Sequence, residues 1–262
     1  MEILVCVRRA PDTSENEIKL NSEGNDIERD ELVYSVNEPD NYAVEEALQI
    51  RDRVGGKVTV VTVGSEEDEE VLRRQLAMGA NQAVLLSDDV FAGSDGRGVA
   101  TILKEFVQKA HYNLILTGVQ ADDGAAQIGG MLAAMLDYPF ASLVNSISVE
   151  NGKLRVSREV EGGNREINEI DLPCVLSIQT GINEPRYVGM RGIRQVASVP
   201  IPTLGAADVG VNLTAVGERA AKVKRVDYFV PVLGKGAEML QGSREERAAR
   251  VLELVAAKGG LK

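Results

Sequence analysis

At 262 residues, 44% hydrophobic and 26% charged, the chain has the make-up of a soluble globular protein of one large domain, or one domain with an extension. No apolar run approaches the roughly 20 residues that span a bilayer, and a net charge of −11 argues against nucleic acid or an anionic membrane as the main partner. One histidine, His111, and two cysteines, Cys6 and Cys174, each inside an apolar run, argue against hydrolytic triads, metal centres and redox motifs; buried thiols fit a reducing, cytoplasmic setting.

Strand and helix patterns alternate through the first half, which predicts a doubly wound, mostly parallel sheet with helices on both faces. Ile3–Val7 reads as a first strand rather than a signal peptide, because MEILVCV has no basic leader. Pro11-Asp12-Thr13 ends it, and Glu17–Leu20 and Asp26–Glu28 can pair as a small hairpin in the polar stretch that follows. The first helix is predicted from Asn37, a plausible N-cap, with Pro39 in its first turn and a stop at Gly55-Gly56. Ala43, Val44, Ala47, Leu48 and Val54 form its apolar stripe, while Glu45 and Glu46 precede Arg51 and Arg53, a charge order that suits the dipole. Lys57–Val63 is a β-branched strand, Glu66–Met78 a helix closed by Gly79, and Ala83–Leu86 a third strand. Ser94 or Asp95 caps a helix that runs to Ala110.

The stretch Asn113–Leu136 is the most informative. Leu114-Ile115-Leu116 is a buried-strand pattern, and Gln120-Ala121-Asp122-Asp123-Gly124 a polar loop. From Ala125 a helix begins that is apolar almost all round, a pattern of full burial. Its first turn offers unpaired N–H groups and the positive end of a dipole to a phosphate. Gly129 and Gly130 let backbone or ligand approach closely, although small residues in an ordinary crossover serve packing equally well. After Pro139, Ser142–Val149, Lys153–Val160 and Arg165–Ile170 read as short alternating strands split by Asn151-Gly152 and Gly162-Gly163, and 173–178 as a further buried strand. Beyond Gly181 the chain is irregular until an amphipathic helix, Arg244–Ala257, which either folds back or reaches onto a partner.

Several of these segments, in order, resemble the β subunit of electron transfer flavoprotein: LVCVRRAPDT, Asn37 to Asp40 followed by AVEEAL, LAMGA at residues 76–80, QADD running to Gly129, and VSREVEGGNREINEIDLPCVLSIQTG. The resemblance covers most of residues 1–200. It implies a Rossmann-like domain of the adenine-nucleotide α-hydrolase type over 1–200, including a hairpin at 142–170, and a C-terminal arm, 201–262, that contacts a partner subunit. It implies a heterodimer with an α subunit that holds most of an FAD, and electron shuttling from acyl-CoA-type or other dehydrogenases to a quinone oxidoreductase, with no membrane insertion. Mapped onto this chain, the nucleotide contacts are Cys6, Val7, Asn37, Glu38, Pro39, Asp40, Val63, and the run Asp122, Asp123, Gly124, Ala125, Ala126, Gln127, Ile128, Gly129, Gly130 and Met131. The family's partner-recognition loop corresponds to residues 185–192, with Tyr187, Met190 as the apolar anchor, and Arg191.

The resemblance leaves two ligands open, a structural AMP or a second FAD. QADDGAAQIG is one residue shorter than the family's QAIDxDxxQxG. PDT, SDDVFAGSD and MRG are similar to members that carry a second flavin and bifurcate electrons from NADH, and Thr13 stands where AMP-binding members usually have an aromatic ring. Against that, the DGDTAQVGP run of the bifurcating members is not kept. Two other classes share the fold. An ATP pyrophosphatase needs a serine- and glycine-rich loop after the first strand, which VRRAPDT is not. A nucleotide sensor of the universal-stress type leaves the hairpin, the PRY loop and the arm unexplained.

Overall fold

The computed structural model describes residues 1–121, 126–150, 152–232, 234 and 236–260. They form two units, Met1–Lys19 with Glu28–Val226, and Leu20–Ile27 with Asp227 onward.

The first unit opens with β1 (Glu2–Cys6) and a short antiparallel ribbon of β2 (Arg9–Pro11) and β3 (Tyr34–Val36), followed by α1 (Glu38–Val54) and β4 (Lys57–Val63). A 3-10 turn at Glu66–Asp68 leads into α2 (Glu69–Met78), then come β5 (Gln82–Leu86), α3 (Gly96–Val107), β6 (Leu114–Gly118) and α4 (Ile128–Leu136). The rest of the unit holds β7 (Phe140–Glu150), β8 (Lys153–Val160), β9 (Asn164–Ile170), β10 (Cys174–Ile178), α5 (Met190–Gln195), β11 (Thr203–Leu204) and α6 (Ala206–Val209).

One sheet orders the strands β11-β5-β4-β1-β6-β10-β7-β8-β9. From β11 to β7 all neighbours are parallel, and β7, β8 and β9 pair antiparallel. The hairpin predicted at 142–170 is thus the continuation of the main sheet, with β7 as the joint. Both faces are covered, as the continuous apolar strands require. α1 and α2 bury Ala43, Val44, Leu48 and Leu72 with Ile3, Val5 and Val60 on one face. On the other, Ile102, Phe106, Leu132 and Ala133 of α3 and α4 pack with Leu4, Val61 and Ile115.

Three sequence expectations change. The helix after β6 starts at Ile128 and not at Ala125, since Ala126 has a left-handed φ of 53° that no α-helix accommodates. That helix is not buried all round; it buries Gly129, Leu132 and Ala133 and leaves Ala134 exposed and Met131 and Met135 half-exposed. Residues 201–226, assigned from sequence to the extension, cluster with the first unit, because β11 adds to the sheet beside β5 and Asp88 accepts the Ala206 amide at 2.9 Å.

The second unit contains an isolated bridge, Leu20 with Ile27, and the helix α7 (Arg244–Ala257), at the predicted bounds. Ser243 caps α7 by accepting the Glu246 amide, while Glu246 accepts the Ser243 amide at 2.7 Å. Every residue of α7 is exposed, including Val251, Leu252 and Leu254. Among the described residues no helix is long and apolar enough to cross a membrane.

Candidate functional site

The order β5-β4-β1-β6-β10 places β1 at the centre, with the chain winding left through β4 and right through β6. The crossover helices lie on opposite faces, so a crevice opens where the order reverses, at the carboxyl ends of β1 and β6.

Asn37 and Asp40 sew that edge together. Past the end of β1, the Arg8 amide donates to Asp40 Oδ2 at 2.9 Å, and at the last residue of β6 the Gly118 amide donates to Asp40 Oδ1 at 3.0 Å. The Asn37 amide donates to the Arg8 carbonyl at 2.8 Å, and its side-chain Nδ2 to the Gln120 carbonyl at 3.0 Å. Asn37 does occupy the N-cap of α1, but its side chain serves the β6 loop instead of the helix. Burial pushes the Asp40 carboxyl up to about 7, against hydrogen bonds from Asn37, Gly118 and Arg8 that pull it down. Gly118 must be glycine, since a Cβ there would lie 2.4 Å from Asp40 Oδ1 and 2.8 Å from its backbone nitrogen.

One residue earlier the strand faces the other way. Thr117 Oγ1 lies 2.9 Å from Ser177 Oγ, both buried, and this hydroxyl pair sits under Gly129 of α4. A Cβ on Gly129 would come within 2.4 Å of Ser177 Oγ, so this glycine is a packing requirement, whereas at Gly130 a Cβ meets only the Phe140 ring at 3.5 Å. Gln127 stands at the N-cap of α4 without a side-chain capping bond. Its Oε1 would lie 2.6 Å from a Cβ on Gly96, beside the N-terminus of α3. That second terminus is already satisfied, since Asp95 accepts the amides of Gly98, Lys222 and Val223.

The structure brings together Cys6, Val7, Asn37, Asp40 and Val63 at the strand ends and Gln127 to Met131 at the start of α4, with β6 as their shared support. Cys6, Val7, Asn37 and Asp40 are buried, whereas Glu38 and Ala126 are exposed and Pro39, Val63, Gln127, Ile128, Gly130 and Met131 half-exposed. The predicted contacts at Asp122, Asp123, Gly124 and Ala125 lie outside the described residues. Burial, with the Asp40 charge nearby, pushes the Cys6 thiol up to about 12, and burial does the same to Cys174, so both stay protonated at neutral pH and neither is an activated nucleophile. Sequence reading missed the Thr117–Ser177 pair, although the signal was there: a lone hydroxyl one place from the end in LILTG and again in CVLSI.

The loop at 185–192 is built differently. Tyr187 is 92% and Met190 66% exposed, Arg191 is exposed, and Met190 opens the short helix α5. Just before them, Arg186 forks onto buried Glu45, with Nε at 2.7 Å and Nη2 at 3.1 Å.

Fold and crevice define an open, doubly wound α/β protein of the Rossmann-like class. A family model described as the electron transfer flavoprotein domain matches residues 25–209. The electron transfer flavoprotein subunit beta of Methylophilus methylotrophus is 36% identical, covering 97% of this chain and 98% of its own length. Subunit CarD of the caffeyl-CoA reductase-Etf complex of Acetobacterium woodii is 36% identical over 95% of both chains. Protein FixA of Azotobacter vinelandii is 32% identical over 92% of this chain and 88% of its own. The chain belongs to the electron transfer flavoprotein family, among the β subunits.

Proposed function

We propose that this chain is the β half of a heterodimer that shuttles electrons from a dehydrogenase to a quinone-linked acceptor in the cytoplasm. FAD, held mainly by the α subunit, supplies the redox chemistry; this chain shapes one side of the assembly, binds a structural AMP and presents the docking loop. The arm from Asp227 onward, with Phe229, Val230, Val232 and the apolar residues of α7 exposed, is the surface that the α subunit covers.

The observation that carries the nucleotide reading is the N-terminus of α4, which lies at the switch point with no cap from Gln127. Its first amides, Ile128, Gly129 and Gly130, would donate to a phosphate there. Asn37 and Asp40 hold the strand ends that flank it, and the residues fit a single phosphate. The neighbouring α3 terminus is filled by Asp95, whose negative charge repels a second phosphate there. This favours AMP over a second FAD.

The alternative, an NADH-dependent bifurcating subunit with a second FAD in this chain, draws on the PDT, SDDVFAGSD and MRG segments and on the small Thr13. Denaturing the purified heterodimer and quantifying released nucleotides separates the two. One FAD and one AMP per pair is the expected result; two FAD and no AMP would replace it with the bifurcating account. A third outcome, a flavin-free monomer with no co-purifying subunit, would reject both.

A further inference from the structure

Glu45 and Glu46 are consecutive carboxylates of α1, both only 4% exposed. Carboxylates so deeply placed need partners; Gln49 and Arg53 of α1 supply one bond each, at 3.1 and 3.2 Å, and the others come from one short segment more than a hundred residues away. Glu45 accepts three bonds from Arg186: Nε at 2.7 Å, Nη2 at 3.1 Å and the backbone amide at 3.2 Å. Glu46 accepts Asn183 Nδ2 at 3.2 Å, and the same nitrogen donates to the Tyr42 carbonyl at 3.1 Å. Arg186 Nη1 also reaches the Met78 carbonyl at 3.5 Å, at the end of α2. Both ends of the 183–186 segment are therefore fastened to α1. Tyr187, the next residue along, is almost fully exposed, and Met190 follows it.

We propose that Glu45 is a positioning residue for docking: by gripping Arg186 through side chain and main chain, it holds residues 183–190 in one conformation and presents Tyr187 and Met190 ready to bind the dehydrogenase. This rests on the docking reading above. The main-chain bond matters most, because it fixes the backbone immediately before Tyr187 rather than a side chain alone. An exposed loop ordered only on contact loses its freedom at the moment of binding; one already ordered does not. The planar fork suits the purpose, since two parallel N–H bonds set direction as well as distance. Glu46 and Asn183 repeat the grip at the other end.

The test uses the αβ heterodimer as electron acceptor for an acyl-CoA dehydrogenase supplied with its acyl-CoA, with FAD content and thermal midpoint recorded for every variant. Met190→Ala is expected to raise KM for the heterodimer about thirtyfold, the loss of a central apolar anchor. Glu45→Gln is expected to raise KM about tenfold with kcat and FAD content unchanged, as for lost preorganisation. Their combination is the decisive readout. In the Glu45→Gln background Met190→Ala should add less than about threefold, because an anchor on an unfixed loop contributes less. If both variants raise KM but their effects multiply fully, or if Glu45→Gln leaves KM at the wild-type value while Met190→Ala raises it, the positioning role is overturned and docking through Met190 stands. If Met190→Ala leaves KM unchanged, the docking reading itself falls. Asn183→Ala covers the case in which Glu45→Gln does not assemble. Asn183 Oδ1 has no hydrogen-bond partner, so this change removes only the Nδ2 contacts, and it should show the same reduced effect of Met190→Ala.

Discussion

α1 and α4 both lead away from the crevice edge of the sheet, and each departs in part from what its sequence implies. α1 carries carboxylates along its length, yet Asp40, Glu45 and Glu46 are buried. α4 is apolar almost throughout, yet buries only Gly129, Leu132 and Ala133. The charged helix is covered because the rest of the chain supplies donors to it: the Arg8 and Gly118 amides at its start, Asn183 and Arg186 at its middle. The apolar helix rests on the sheet by one side, with no side-chain capping bond from Gln127 and with Met131 and Met135 half-exposed. The difference teaches that a periodic pattern names the face able to be buried, but partners decide which face is.

The largest expected effect tests the seal. Asp40→Ala takes the acceptor from two part-buried amides, those of Arg8 and Gly118, and at about 1 kcal/mol or somewhat more each the purified chain should lose about 2–3 kcal/mol in urea unfolding. A loss under about 1 kcal/mol would show that Asp40 merely sits between the strands. The same carboxyl gives a pH signature. Its native value near 7 lies above the unfolded value near 4, so the native chain keeps a proton that the unfolded chain releases. The resulting stability is complete below about pH 4 and is lost as pH rises through about 7, a change on the order of 4 kcal/mol at most. Asp40→Asn should flatten the curve in that window, and an unchanged slope assigns the titration elsewhere.

Smaller effects probe α4. Gly129→Ala drives a methyl against Ser177 Oγ and Thr117 Oγ1 and should cost about 1–3 kcal/mol, whereas Gly130→Ala should be neutral or stabilise by up to about 1 kcal/mol through helix propensity. Equal thermal midpoints for the two variants would remove the distinction between packing glycine and open glycine. Smallest of all, Met131→Gln should shift the stability of this chain by less than about 0.5 kcal/mol, yet weaken nucleotide retention or subunit association in gel filtration. A large loss of stability in the lone chain would mean that Met131 is core.

Most of the architecture was legible. The β-branched runs, the glycine stops at Gly55 and Gly79, and the Asn-Gly and Gly-Gly turns located strands and helices to within a few residues, because each signal is local. β2 and β3 were not legible, being three residues each and paired across more than twenty intervening residues. The start of α4 was missed because an alanine at φ 53° leaves no mark in composition. In the site, the strand ends and Asn37 followed from pattern and resemblance. The grip of Asp40 on Arg8 and Gly118 and that of Glu45 on Arg186 did not, since which donor reaches a carboxylate is set by the assembled sheet and not by spacing along the chain.

The central place of β1 carries a kinetic consequence. Ile3 pairs with Val58 on one side and with Leu114 on the other. At about 5–20 residues per second of synthesis, the first strand waits on the order of seconds for its first neighbour and up to about 20 s for its second. Through that interval Ile3, Leu4, Val5 and Cys6, destined for complete or near-complete burial, have no sheet to enter. A fold wound outward from its first strand completes its middle late, so the hazard of aggregation during synthesis falls on residues 2–6 rather than on β9, the finished sheet's charged outer strand.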